Sequence, residues 1–405
     1  MIVGPCIVVT GGREAHVIED GGVRVVGGHI AQIGPAALLA RSYPDETLWP
    51  ARGRVLLPGL VDTHAHLARH LARGLALRTP AEWRRFDAAL SPEDVTWSVT
   101  AALAEGVRHG VTSVADFHRS GSCVDLSLSE VVGAAAKVGV RVATCYGASE
   151  WDGEAERRAA LEESLGFASE IGRGRDGRVR AMVGVQAATL AGVERMVGEA
   201  LELAGERLAV HADLALDLTP AERWRAPGAW PAAGRPMLWA HAEAAPRGLL
   251  VEARERGDHL SAVGAGAVTA LLRETELAWG SDAGVLAPPL PDTQQAWAFQ
   301  ASAEAHYQRL FVHGARWAET QFGEGLGTIA PGAPADLVLV DYRPATEFSQ
   351  RTLLGHLWAG ILRARVSGVM VAGEVVMDNG TLVHVDEQEV AARARECAAR
   401  VWARL

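Results

Sequence analysis

Apolar positions along the chain change texture near residue 57. Before it they come as short β-branched runs broken by glycines, CIVVTGG, GGVRVVGGHIAQIG and GRVLLPG, a pattern that predicts the strands and tight turns of a small β-layer. From Pro58 onward, apolar strand runs alternate with Ala/Leu/Arg-rich stretches of helical period, the signature of an α/β domain. Strands are predicted in the run Leu57–Leu67 behind its Pro-Gly turn, at Val111–Asp116, GVRVATCYGAS, VRAMVGVQA, LAVHADL, PMLWAHAE, a seventh near Leu260–Val263 amid glycines, and ELAWGSDAG. Between them, Ser91-Pro92-Glu93-Asp94 opens a helix with Ser as N-cap and Pro at the first position. After about Gly323 the β texture returns in LGTIAPGAPADLVLVDYRP and RVSGVMVAGEVVMDNGTLV. The last segment predicts a helix with Asp386 as N-cap and an apolar stripe of Val390, Ala394, Cys397, Val401 and Leu405.

These textures divide the chain into a β segment over 1–57, an α/β body over 58–322, a second β segment over 323–385 and a C-terminal helix over 386–405. The two β segments are expected to pair with each other, because neither half alone could bury both faces of a sheet. At 405 residues the chain has room for a barrel and a satellite domain. With 49% hydrophobic and 22% charged residues it is a folding composition.

Net charge of -10, with no basic stretch free of intervening acids, argues against nucleic-acid or acidic-membrane partners and leaves small molecules as the expected ligands. Four scattered cysteines, Cys6, Cys123, Cys145 and Cys397, form no C-x-x-C and indicate reduced thiols. The N-terminus has no basic leader and no apolar run approaches the roughly 18–20 residues of a membrane span, so a cytoplasmic protein is expected.

The candidate chemistry starts at Pro58-Gly59-Leu60-Val61-Asp62-Thr63-His64-Ala65-His66-Leu67. Residues i and i+2 of a strand share a face, so His64 and His66 project together and can bind one ion. The run PGLVDTHAHL resembles the first barrel strand of the amidohydrolase superfamily. That resemblance implies a (β/α)8 barrel, with its site at the C-terminal ends of the strands, flanked by a small β-sandwich from both chain ends. His211, His241 and Asp282 fall at the ends of the fifth, sixth and eighth predicted strands.

The superfamily's lysine-bridged binuclear centre is excluded, because the fourth strand reads Gly184-Val185-Gln186-Ala187 and the chain's one lysine, Lys137, lies in a helix. What remains resembles the mononuclear deaminase branch. That implies one divalent ion, Zn²⁺ first, with Fe²⁺ or Mn²⁺ as alternatives, held by His64, His66, His211 and Asp282. Asp282 would accept a proton from water made acidic by the ion, and His241 would polarise the substrate.

Longer segments, among them EWRRFDAALSPEDV, HGVTSVADFHRSGSCVDLSL and LLGHLWAGI, resemble the SsnA-type aminohydrolases over nearly the whole chain. The activity implied is hydrolysis of a non-peptide C–N bond in a small molecule, by a protein expected to be a homodimer. A ligand-binding relative without turnover and an ester or lactam hydrolase are the other readings.

The chain departs from the branch in three places. The glutamate usual three residues after the fifth-strand histidine is Leu214, the strand-four histidine of the SsnA type is Gln186, and the loop after strand seven looks shortened. Glu243, Asp213 and His118 are the candidates to replace the lost acid. Glu243 is preferred, because on an extended strand it would share a face with His241. His118 and Gln186 are also expected to contact substrate, together with His241.

Overall fold

The computed structural model describes residues 1–121, 123–171, 177–205, 207–216, 218–223, 230–231, 234–263, 276–284, 288 and 299–405. They form two compact units, one of Met1–Val61, Glu105–Ser113 and Ala287–Val385, the other of Asp62–Ala104, Val114–Leu286 and Asp386–Leu405.

In the first unit, strands β1 (Ile2–Val9), β2 (Val17–Val26), β3 (His29–Pro35), β4 (Leu48–Pro50) and β5 (Val55–Pro58) come from the start of the chain. They share one mixed nine-stranded sheet with β14 (Leu337–Val340), β15 (Val366–Val371), β16 (Glu374–Asp378) and β17 (Thr381–Leu382) from its other end, in the order β17-β16-β15-β14-β5-β1-β2-β3, with β4 also on β1. The join is made by β14, which lies antiparallel to β5 with Val338 opposite Leu57. Val3, Val8, Val23, Ile30, Trp49, Leu56, Leu339 and Met370 pack as its core, which draws on both ends of the sequence. The strand-only expectation for residues 1–57 is corrected by a helix, Ala36–Ser42, whose sequence AALLARS is rich in strong helix formers.

The eight strands between the two sheet segments are β6 (Leu60–Ala65), β7 (Val111–His118), β8 (Arg141–Ser149), β9 (Val179–Ala187), β10 (Ala209–Leu214), β11 (Leu238–Ala240), β12 (His259–Val263) and β13 (Leu277–Gly280). They pair in sequence order as a nearly closed parallel barrel. Nearly every barrel residue is buried, as expected for parallel strands covered on both faces.

First and last barrel strands meet where the candidate ligands lie. Ala65 bridges Asp282, with His66 N donating to Asp282 O at 2.9 Å and Asp282 N to His64 O at 2.9 Å. Asp62 clasps the same seam, its Oδ1 accepting from the amides of His64 and Ser281, each at 3.1 Å. Gly280 lets the strands approach, since a Cβ there would stand 2.7 Å from Ser261 Oγ and 2.9 Å from His64 Cβ.

Two helices start where the sequence places caps. Ser91 and Asp94 exchange bonds at the head of Pro92–Arg108, and Asp386 accepts from the amides of Gln388 and Glu389 at the head of Glu387–Trp402. That last helix buries Val390, Cys397 and Val401 and packs on the barrel unit through Trp402 Nε1, which donates to Leu71 O at 2.9 Å, and Arg404 Nη2, 3.0 Å from Asp94. The loop after β12, expected to be short, lies outside the described residues. No helix among the described residues is long and apolar enough to cross a membrane, and the four cysteines are free thiols.

Candidate metal centre

His64 sits at the middle of a cluster built from strand ends. Its ring centroid lies 4.9 Å from His66, 5.0 Å from His211 and 5.2 Å from His241. Asp282 Oδ1 faces three of these rings, at 3.3 Å from His66 Nε2, 3.7 Å from His241 Nε2 and 3.8 Å from His64 Nε2. His211 joins through His64, Nε2 to Nδ1 at 3.0 Å. Asp213 also enters, with Oδ2 3.8 Å from His66 Nε2 and Oδ1 3.7 Å from His241 Nε2.

Most of these separations exceed hydrogen-bond range. Donors about 2.0–2.2 Å from a zinc ion stand roughly 3.3–3.6 Å apart at tetrahedral angles, close to what is seen. His64 Nε2, His211 Nδ1 and Asp213 Oδ1 are buried with no hydrogen-bond partner among the described residues. Unpartnered imidazole nitrogen and carboxylate oxygen fit a borderline divalent cation. Two groups, His64–His241–Asp282 and His64–His66–Asp213, each bring their ligand atoms within 4.8 Å of one another, while His211, whose Nε2 faces His64 Nδ1, stands outside both.

Electrostatics match the donor set. Burial holds His64 and His66 well below the usual imidazole range and takes His211 down to about 3, which keeps these rings neutral as metal binding requires. At His241 burial is outweighed by the Asp282 and Glu243 carboxylates and the field of Asp213, which raise it well above the ordinary value. Asp282, although buried enough to be raised, is held below the usual carboxylate range by His241 and His64. His66 is aimed by its other nitrogen, 2.8 Å from Phe117 O.

Strand six departs from the geometry assumed for Glu243. β11 ends at Ala240, His241 takes a left-handed backbone (φ 54°), and Ala242–Ala244 form a turn. Glu243 therefore lies behind the His241 ring, Oε1 3.2 Å from Nδ1, while Oε2 accepts from Val263 N at 3.2 Å. His118, fully buried, bonds Ser120 Oγ through Nε2 at 2.8 Å and makes no hydrogen bond or ion pair with the cluster. Gln186 donates to Asp213 Oδ2 at 2.6 Å and accepts from Ser149 Oγ at 3.1 Å.

Two features escape a reading of the sequence. Asp62 was legible in principle, because Asp62, His64 and His66 alternate on one face of β6. The other is a buried ionic chain. Arg69 binds Asp87 with two nitrogens at 2.9 and 2.7 Å, and Arg119 binds Asp152 at 2.8 and 3.1 Å while lying 3.6 Å from Asp87. Its members come from separate elements, so no local spacing announces it.

The sequence profile of the amidohydrolase family matches residues 55–223. A 5-methylthioadenosine/S-adenosylhomocysteine deaminase of Pelotomaculum thermopropionicum is 26% identical over 99% of this chain and 98% of its own length. A 5'-deoxyadenosine deaminase of Methanosarcina barkeri is 30% identical over 46% of this chain and 42% of its own. Among solved structures, an adenosine deaminase from Xanthomonas campestris with bound zinc superposes with a TM-score of 0.72 at 22% identity, covering 99% of this chain and 98% of that one. Atrazine chlorohydrolase from Arthrobacter aurescens, complexed with zinc, does so with a TM-score of 0.72 at 18% identity, over 98% and 99%.

Proposed function

We propose, from a chain that resembles the amidohydrolase family in sequence and in barrel architecture, a metal-dependent hydrolase of non-peptide C–N bonds. Its substrate would be an amino group on a nitrogen heterocycle of the adenosine type. The observation that carries this reading is the clustering of donor atoms from His64, His66, His241, Asp213 and Asp282 at the strand ends, with His211 packed against His64. The relatives' names support the substrate class.

One divalent ion, zinc by preference, would be held by His64, His66, His211 and Asp282. When bound, it supplies the Lewis acidity that brings the pKa of water from about 15.7 toward about 7. Asp282, 3.7 Å from His241 Nε2, is placed to take up a proton and share it with that ring. His241 presents Nε2 to the cluster and would polarise the group being displaced.

Glu243 acts through His241. Both of its oxygens are engaged, so we assign it to positioning that ring in place of the proton donation expected on an extended strand. Gln186 gives its amide to Asp213 and its carbonyl to Ser149, and His118 turns Nε2 to Ser120 while its Nδ1 has no hydrogen-bond partner among the described residues, so His241 leads the proposed substrate contacts with His118 and Gln186 beside it. A homodimer in the cytoplasm completes the proposal, supported by the sequence alone.

The test is ammonia release by zinc-loaded protein from adenosine, 5'-methylthioadenosine, S-adenosylhomocysteine and 5'-deoxyadenosine, beside pyrimidine and guanidine controls. Turnover of at least one heterocyclic amine is expected, with loss of turnover in His241→Ala. A folded, metal-loaded protein that binds these compounds and releases nothing would make it a ligand-binding relative instead.

A further inference from the structure

We infer that Asp213 supplies a carboxylate oxygen to the ion's site, held in place by a hydrogen-bonded chain from the two preceding strands, so that strand five contributes an acid as well as a histidine. The inference rests on the metal-dependent reading above and adds a donor that neither the resemblance nor the relatives' names provide. On β10, His211 and Asp213 share the inward face.

Asp213 is 2% exposed, and its Oδ1 has no hydrogen-bond partner among the described residues. An unpartnered buried carboxylate oxygen is costly. Beside it stand the same imidazoles that surround Asp282, at 3.7 Å from His241 Nε2 for Oδ1 and 3.8 Å from His66 Nε2 for Oδ2. With His64 and His66, Asp213 forms one of the two sets whose donor atoms all lie within 4.8 Å.

The second oxygen is anchored. Ser149 at the end of β8 donates to Gln186 at the end of β9, and Gln186 donates to Asp213 Oδ2, so three neighbouring strands each give one residue to a chain that ends on the cluster. An amide holding one oxygen of a carboxylate while the other faces the ion is the usual way a ligand is oriented from behind. Asp213 and Asp282 together bring two negative charges to the cluster, and the nearby Arg69 is already paired with Asp87. A second carboxylate also shifts the site toward oxygen-preferring ions, so Mn²⁺ and Fe²⁺ should be held better than by a set of three imidazoles and one carboxylate.

Metal affinity tests this without any substrate. Zn²⁺ and Mn²⁺ dissociation constants and the visible absorption of the Co²⁺-loaded protein would be measured for wild type, Asp213→Asn and Gln186→Met, each first checked by the melting curve of the metal-free form. Asp213→Asn should weaken Zn²⁺ binding at least 100-fold, weaken Mn²⁺ more, and alter the Co²⁺ spectrum. Gln186→Met, which frees the carboxylate without removing it, should cost 10- to 100-fold and serves as the readout if Asp213→Asn does not fold. Wild type that binds the ions, beside variants that keep their affinity within threefold and their Co²⁺ spectrum, overturns the inference and leaves the proposed function standing. Wild type that takes up none of the three ions overturns both.

Discussion

His241 and Asp282 are non-glycine residues with left-handed backbone, φ 54° and 58°. Such conformations persist where surroundings over-determine them, and here the seam bonds of Asp282 and the Glu243 contact do so. The seam depends equally on Gly280. Gly280→Ala should cost about 1–3 kcal/mol through overpacking against Ser261 and His64, lowering both the melting temperature and the zinc affinity. A variant that matches wild type in both would show that the strands do not need this approach. Of the cluster, the histidine pair was legible because two-residue alternation is a local signal. Asp213's place was legible only as a face, since its neighbours His66, His241 and Gln186 come from three other strands. That Glu243 stands beside His241 was legible from their spacing, but the backbone turn at His241, invisible in the pattern PMLWAHAE, that carries its side chain behind the ring was not.

The element most plainly written in the sequence is the C-terminal helix, whose cap appears where the pattern predicts it and whose stripe holds at Val390, Cys397 and Val401, while Leu405 lies exposed beyond the helix end. Asp386→Ala should therefore cost about 1 kcal/mol, read from chemical denaturation, and an unchanged midpoint would mean the cap bonds contribute nothing. Its docking adds a pH dependence. Burial would raise the Asp94 carboxyl, but the Ser91 hydroxyl and amide and the Arg404 guanidinium outweigh it and hold it below the usual range. A depressed acid stabilises the fold above its unfolded pKa and loses that contribution as pH falls through the folded value. The stability gap between wild type and Asp94→Asn should then be full near neutrality and shrink below about pH 4. A gap that stays constant down to pH 2 would place the effect in packing. Strand positions were legible because buried parallel strands are dense apolar runs. The helix Ala36–Ser42 was not, because seven residues span only two turns and leave too little period to detect.

For the whole molecule, the sheet drawn from both chain ends makes a clear expectation: a chain stopped at Gly323 should be insoluble, because β5 would lack β14, its neighbour in the sheet. A soluble, cooperatively melting product would show that residues 1–322 are self-sufficient. The same pairing sets a timetable. Leu57 meets Val338, and at about 5–20 residues per second the ribosome delivers the second strand roughly 15–55 s after the first. Through that interval β5 is an open edge, able to pair with any other strand it meets. A nascent chain of this protein should thus lean on chaperones throughout its synthesis, and slowing translation before residue 337 should raise its losses to aggregation.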